Sequence, residues 1–162
     1  MEKYVKEIAE SFIGQKEIHG NQGFIDKLFE VKMRGVGFYT GAPWCAFFAK
    51  LVWKDAGTER YKLIAGSALQ TMRNFVKSEK LELTAKPNIG AIGIYRTMKN
   101  SKAQTTGHVA VVIEVGDSTF TTIEGNTNAK GGREGIEVAK KIRSYKFYEP
   151  DGLQLMGFIN FK

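Results

Sequence analysis

The sequence predicts an α+β fold, with helices in the first half of the chain and an antiparallel sheet in the second. Three observations carry this. Apolar residues recur at helical spacing before Pro87, and after it the pattern changes to short β-branched and aromatic runs. No linker, repeat or low-complexity tract divides the chain, so residues 1–162 read as a single domain.

Residues 2–13 place Val5, Ile8, Ala9, Phe12 and Ile13 on one face of an amphipathic helix, and Gly14 is a suitable stop. A loop with glycine and asparagine follows at 17–23. A second helix is expected over 22–33, with Phe24, Ile25, Leu28 and Phe29 turned inward. Residues 34–43 are a glycine-rich loop ending in Pro43, which suits the first turn of a helix. The run WCAFFAKLVWKDAG is apolar nearly all round, so it reads as the central buried helix, with Cys45 in its first turn and Gly57 as its stop. Ser67 caps a fourth helix whose apolar face is Leu69, Met72, Phe75 and Val76. Strands are expected at 89–95, 108–115, 118–125, 135–143 and 154–161, with a hairpin turn at Gly116-Asp117.

With 162 residues, 43% hydrophobic and 25% charged, the chain is neither disordered nor collagen-like, and it can bury a real core. Cys45 is the only cysteine, which excludes an internal disulfide. No apolar run is long enough to span a bilayer. The N-terminus, MEKYVKEIAESFIG, lacks the apolar core of a signal peptide, so synthesis in the cytoplasm and export by another route are expected. The net charge of +7 favours anionic partners, and the densest basic run is Lys140, Lys141, Arg143 and Lys146. Sequence signatures of nucleic-acid binding are missing, so nucleic acid is not the expected partner.

Cys45 has the position of a reactive thiol, because the positive end of a helix dipole favours thiolate. His108 opens an apolar strand, and Glu124 and Asn126 lie at the end of the neighbouring hairpin strand. A carboxylate or amide there can bond one imidazole nitrogen and leave the other for the thiol. Thiol, histidine and orienting group, in the order Cys–His–Glu, are the nucleophile, base and orienter of a papain-like enzyme. Cys45 and two histidines make a poor zinc ligand set, so neither metal nor cofactor is expected.

On four stretches the sequence resembles the CHAP domains (cysteine- and histidine-dependent amidohydrolase/peptidases) of phage lysins and bacterial wall hydrolases. These are IGQKEIHGNQG, PWCAFFAKLVWKDAG, GHVAVVIEV and TFTTIEGNTN with GGREG behind it. The resemblance implies a papain-like core and cleavage of amide bonds in peptidoglycan, either between the sugar and the first alanine or within the stem or cross-bridge peptide. It implies Cys45 as nucleophile, His108 as general base and later acid, Glu124 as orienter and Asn126 as a second polar partner. The Cys45 backbone N–H is the natural oxyanion donor. The stretch RGVGFYTGAPW holds no carboxylate, so a calcium site just upstream of the cysteine is not expected. Glu17, His19 and Asn21 are candidates to line the cleft and Trp44 to wall it, while Trp53 belongs to the core.

Peptidoglycan is the expected partner of a monomeric enzyme acting at the cell wall or periplasm, and the basic run is the candidate contact surface. A phage lysin, a virion-associated enzyme and a secreted antibacterial effector all fit; the last would imply a cognate immunity protein. A catalytically silent wall-binding protein on the same fold is the alternative.

Overall fold

A computed structural model describes residues 2–127 and 136–161. The GGREG stretch, at 131–135, and the first residue of the strand expected from 135 lie outside the described residues.

Four helices precede the main sheet: α1 (Glu2–Ser11), α2 (Lys27–Gly35), α3 (Cys45–Asp55) and α4 (Ala68–Glu79), with a 3₁₀ turn at Glu59–Leu63. Between α1 and α2 a small ladder forms from β1 (Glu17–Ile18) and β2 (Gly23–Phe24). The sheet comprises β3 (Ile92–Lys99), β4 (Lys102–Val115), β5 (Thr119–Thr127), β6 (Glu137–Ser144) and β7 (Gly152–Ile159). Its spatial order is β6-β5-β4-β3-β7, antiparallel throughout. This is the α+β architecture that the change of periodicity predicts.

Local chemistry explains the helix starts. Asp26 caps α2 by accepting from the Phe29 N–H at 3.0 Å, and Ser67 caps α4 by accepting from the Gln70 N–H at 3.3 Å. Helix α3 buries eight residues, Cys45 to Ala49 and Leu51 to Trp53, because α1, α2 and the sheet surround it. Its core partners on the sheet are Ile92, Ile94, Val109, Val111, Ile113 and Ile123, the strand positions that face the helices.

The expected second helix starts later and turns another way. Phe24 is buried, but from β2, and α2 buries Phe29 and Met33. Ile25 and Leu28 are 66% and 69% exposed, so the inward orientation expected for them is corrected. The Asp26 cap starts the helix at Lys27, five residues beyond the expected position, and its buried stripe is Phe29 and Met33. Ile13 and Val76, expected on inner faces, are also exposed, Ile13 in the turn beyond the end of α1 and Val76 on α4.

Beyond the sequence reading, the face away from the helices carries its own core of Ala91, Tyr95, Ala110, Val112, Phe120, Leu155 and Phe158. The Phe120 and Phe158 rings sit 5.1 Å apart although β4 and β3 lie between their strands. Three interstrand steps would separate them by about 14 Å in a flat sheet. The sheet is therefore strongly coiled, and Tyr145 closes its concave side by packing on both rings and donating to the Gly116 carbonyl at 3.0 Å.

Candidate active site

Three elements converge at one end of the coiled sheet. Helix α3 brings Cys45 in its first turn, where the N-cap Trp44 supplies no side-chain acceptor. Strand β4 brings His108, paired with Tyr95 of β3, and β5 brings Glu124. The β4–β5 register places Val111 opposite Ile123, and one further step puts Ala110 opposite Glu124. Glu124 thus reaches His108 on the diagonal of the same sheet face. Its Oε1 lies 2.7 Å from His108 Nε2, with both side chains fully buried.

Nε2 being taken by Glu124, the imidazole turns Nδ1 to the Cys45 side, with no nitrogen or oxygen partner among the described residues. Burial disfavours the imidazolium. The charge of Cys45 and its hydrogen bond outweigh that, with Glu124 adding to them, and the His108 pKa rises to about 9. Glu124 is the reverse case. Burial alone would raise its pKa, but the hydrogen bonds and charges of His108 and Arg143 hold it well below the usual carboxylate range.

Arg143 of β6, missed by the sequence reading, is part of this cluster. Its Nε donates to Glu124 Oε2 at 2.8 Å and its Nη2 to Oε1 at 2.5 Å. Thr122 Oγ1 donates to Oε2 at 2.5 Å. The signal was present in the period of two: Arg143 pairs with Phe120 and Lys141 with Thr122, so both basic side chains share the inner face with Glu124. The basic run is therefore divided: Lys141 is 8% exposed and Arg143 is engaged with Glu124, whereas Lys140 and Lys146 are exposed.

Asn126 is buried beyond a bulge at the end of β5, with φ of +53° and no partner for either amide atom among the described residues. Gly125 before it lies flat on Phe48 and Trp44, where a Cβ would come within 2.6 Å of the Phe48 side chain. Trp44, expected to wall the cleft, is instead fully buried, edge-on to Phe24 and donating its indole N–H to Glu17 Oε1 at 3.2 Å. Glu17 is buried as well, and its Oε2 accepts from the Asn21 N–H at 2.6 Å. Glu17 and Trp44 thus brace the first loop from inside, and Asn21 joins it to the cysteine loop by accepting from the Gly41 N–H at 2.7 Å. His19 is exposed on that loop.

A groove of about 480 Å³ opens over the thiol. Cys45, Pro43, Phe47 and Tyr39 line one side, Ser67 and Gln70 another, and Thr105 to Gly107 the third. Tyr39, not Trp44, is the exposed aromatic at its rim, 63% exposed and edge-on to Phe47. Among the described residues that line it, none is charged.

Among curated proteins and among solved structures, no match to the chain was found. The family model of the CHAP domain matches residues 37–126, more than half of the chain, and that stretch holds Cys45, His108, Glu124 and Asn126. The chain belongs to the CHAP-domain family, a family of hydrolytic amidases and peptidases.

Proposed function

We propose that the protein is a cysteine peptidoglycan hydrolase that cleaves an amide bond of the bacterial cell wall through an acyl-enzyme. The observation that carries this reading is the buried line from Glu124 through His108 to Cys45, which ends under an open groove. A thiolate–imidazolium pair at a helix start is a nucleophile already charged at neutral pH.

The Cys45 thiolate attacks the amide carbonyl carbon. The oxyanion forms at the N-terminal end of α3, where the helix dipole is positive. The C–N bond then breaks as the imidazolium of His108 gives its proton to the leaving amine. In the second half neutral His108 takes a proton from water as the hydroxide adds to the thioester carbonyl. The intermediate expels the Cys45 thiolate and releases the acid, which restores the thiolate–imidazolium pair. Glu124 holds the ring so that Nδ1 faces the sulfur throughout.

The uncharged groove supports a scissile bond beside small neutral groups, such as the lactyl–alanine junction or an alanine or glycine of the peptides. A bond flanked by the free carboxylate and ammonium of the stem would find no counter-charge among the described lining residues. Digestion of purified sacculi followed by mass spectrometry tests the proposal by identifying the new termini. Sacculi left uncut by wild type, with muropeptides still bound, would show a silent wall-binding protein instead.

A further inference from the structure

The buried carboxylate of Glu124 accepts four contacts from the described residues, two on each oxygen, and Arg143 supplies one of each pair. Its guanidinium stacks at 5.5 Å on the ring of Tyr95, which itself stands across the ladder from His108. We propose that Arg143 is a positioning residue of this site: by gripping both oxygens of Glu124 it aims one of them at His108 and keeps the shared proton on the imidazole. The proposal rests on Cys45 and His108 acting as nucleophile and base.

Geometry supplies the first half of the argument. One hydrogen bond from His108 would leave the carboxylate free to swing about its last bond. The planar fork of an arginine fixes that plane, and a lysine cannot reproduce it. The guanidinium is itself clamped, with Tyr95 on one face and an 18% exposed side chain.

Charge supplies the second half. A buried carboxylate facing only an imidazolium has reason to take the proton and leave two neutral groups. His108 would then be neutral, a far weaker acid towards the leaving amine at Nδ1 and no counter-charge for the Cys45 thiolate. The groups around Glu124 are His108 from β4, Thr122 from its own strand, Arg143 and Lys141 from β6 and the Tyr95 ring from β3, with Cys45 beyond His108. Of the cations among the described residues, only Arg143 and His108 hydrogen-bond the carboxylate. Glu124 stays well below the usual carboxylate range in part because of Arg143, in agreement with this role.

The test reads the thiol directly, independently of any wall substrate. Alkylation of Cys45 by iodoacetamide is followed from about pH 4 to about pH 10 in wild type, R143M and R143K, with each rate normalised to titratable thiol. In R143M the acid midpoint should rise by about one pH unit or more, because Glu124 now takes up a proton within the working range. Its kcat on sacculi should fall about tenfold or more with KM little changed, as loss of an orienter does. R143K should return the midpoint toward wild type but recover only part of kcat.

A merely structural arginine would scale the whole curve without moving its midpoint, and that result overturns the proposal. So does R143M with kcat within about twofold of wild type. Should R143M fail to fold, R143K decides, since wild-type kcat in that variant also overturns it. A normal alkylation curve in wild type with uncut sacculi would remove the peptidoglycan reading and leave the role of Arg143 standing.

Discussion

Cys45 is the only thiol in the chain, so Cys45→Ala should abolish turnover of sacculi while leaving the circular dichroism spectrum intact. His108→Ala should be about as damaging, and the double variant no worse than either single one, because nucleophile and base act as a unit. Multiplying losses would show that the two act independently. Glu124→Gln should be milder in rate than either, since an amide still accepts from imidazole. Its stability cost should nevertheless reach about 3 kcal/mol, because a buried ion pair with Arg143 is broken; chemical denaturation measures it. The pH dependence follows from His108. Its pKa rises on folding from an ordinary 6.5 to about 9, so it binds its proton more tightly in the folded chain. The stability this contributes is present in full below 6.5 and is lost as pH climbs through about 9. Activity should fall over the same alkaline limb, where the imidazolium that protonates the leaving amine disappears. Glu124 is shifted downward, so its contribution is present above 4.5 and is lost only as pH falls well below that. Melting temperatures and rates collected across pH check both signs.

At the scale of elements, the site depends on how closely β3 and β4 approach just before His108. Gly107 stands opposite Arg96, and a Cβ there would lie 2.2 Å from the Tyr95 carbonyl oxygen and 3.1 Å from Ala68 of α4. Backbone on one side and a helix start on the other leave no room to give. Gly107→Ala should therefore cost about 1–3 kcal/mol of stability and displace the strand that carries the imidazole. The folded fraction of this variant should lose activity too, which a rate normalised to folded protein will show. Unchanged turnover per folded molecule would mean that His108 tolerates a shift of its strand. The separate core on the concave face has a matching purpose. Its rings pack β5 against β7 across the coiled face, and Arg143 reaches Glu124 on that same face from the adjacent strand β6.

For the molecule as a whole, the net charge of +7 bears on how the proposed hydrolase would be held on an anionic wall. Exposed charges are screened beyond about 8–10 Å at physiological ionic strength, whereas the buried cluster is screened far less. Rising salt should raise the apparent KM on sacculi and leave kcat nearly unchanged, with a weaker effect on a small soluble muropeptide. Equal salt sensitivity on both substrates would assign the charge to solubility alone. Charge reversal now divides the basic run in two. Lys140 is exposed, so its reversal should imitate part of the salt effect, whereas reversal of the buried Lys141 should disrupt the inner face beside Glu124. Among the described residues no cluster of three or more metal-ligating side chains exists. Turbidity clearance should accordingly survive dialysis against EDTA, and loss restored by calcium would reveal a metal requirement.

The sequence by itself determined what is local. Caps, glycine stops and the apolar run around Cys45 set the helix starts and the order of elements, and they depend on neighbours a few residues away, so a linear reading can find them. Cys45, His108 and Glu124, far apart in sequence, could be named from it as candidates. Which side of each element meets the core was decided by tertiary structure. Ile25 and Leu28 are apolar yet exposed: Ile25 precedes the Asp26 cap and lies outside α2, and Leu28 lies off the buried stripe of Phe29 and Met33. Trp44 looked like a cleft wall and is buried under the first loop by its bond to Glu17. Lys141 and Arg143 looked like a solvated run, yet strand alternation turns them onto the inner face while Lys140 and Ile142 face out. The period of two separates those pairs, but only the pairing register of β6 on β5, with Arg143 opposite Phe120 and Lys141 opposite Thr122, decides which pair lies inside.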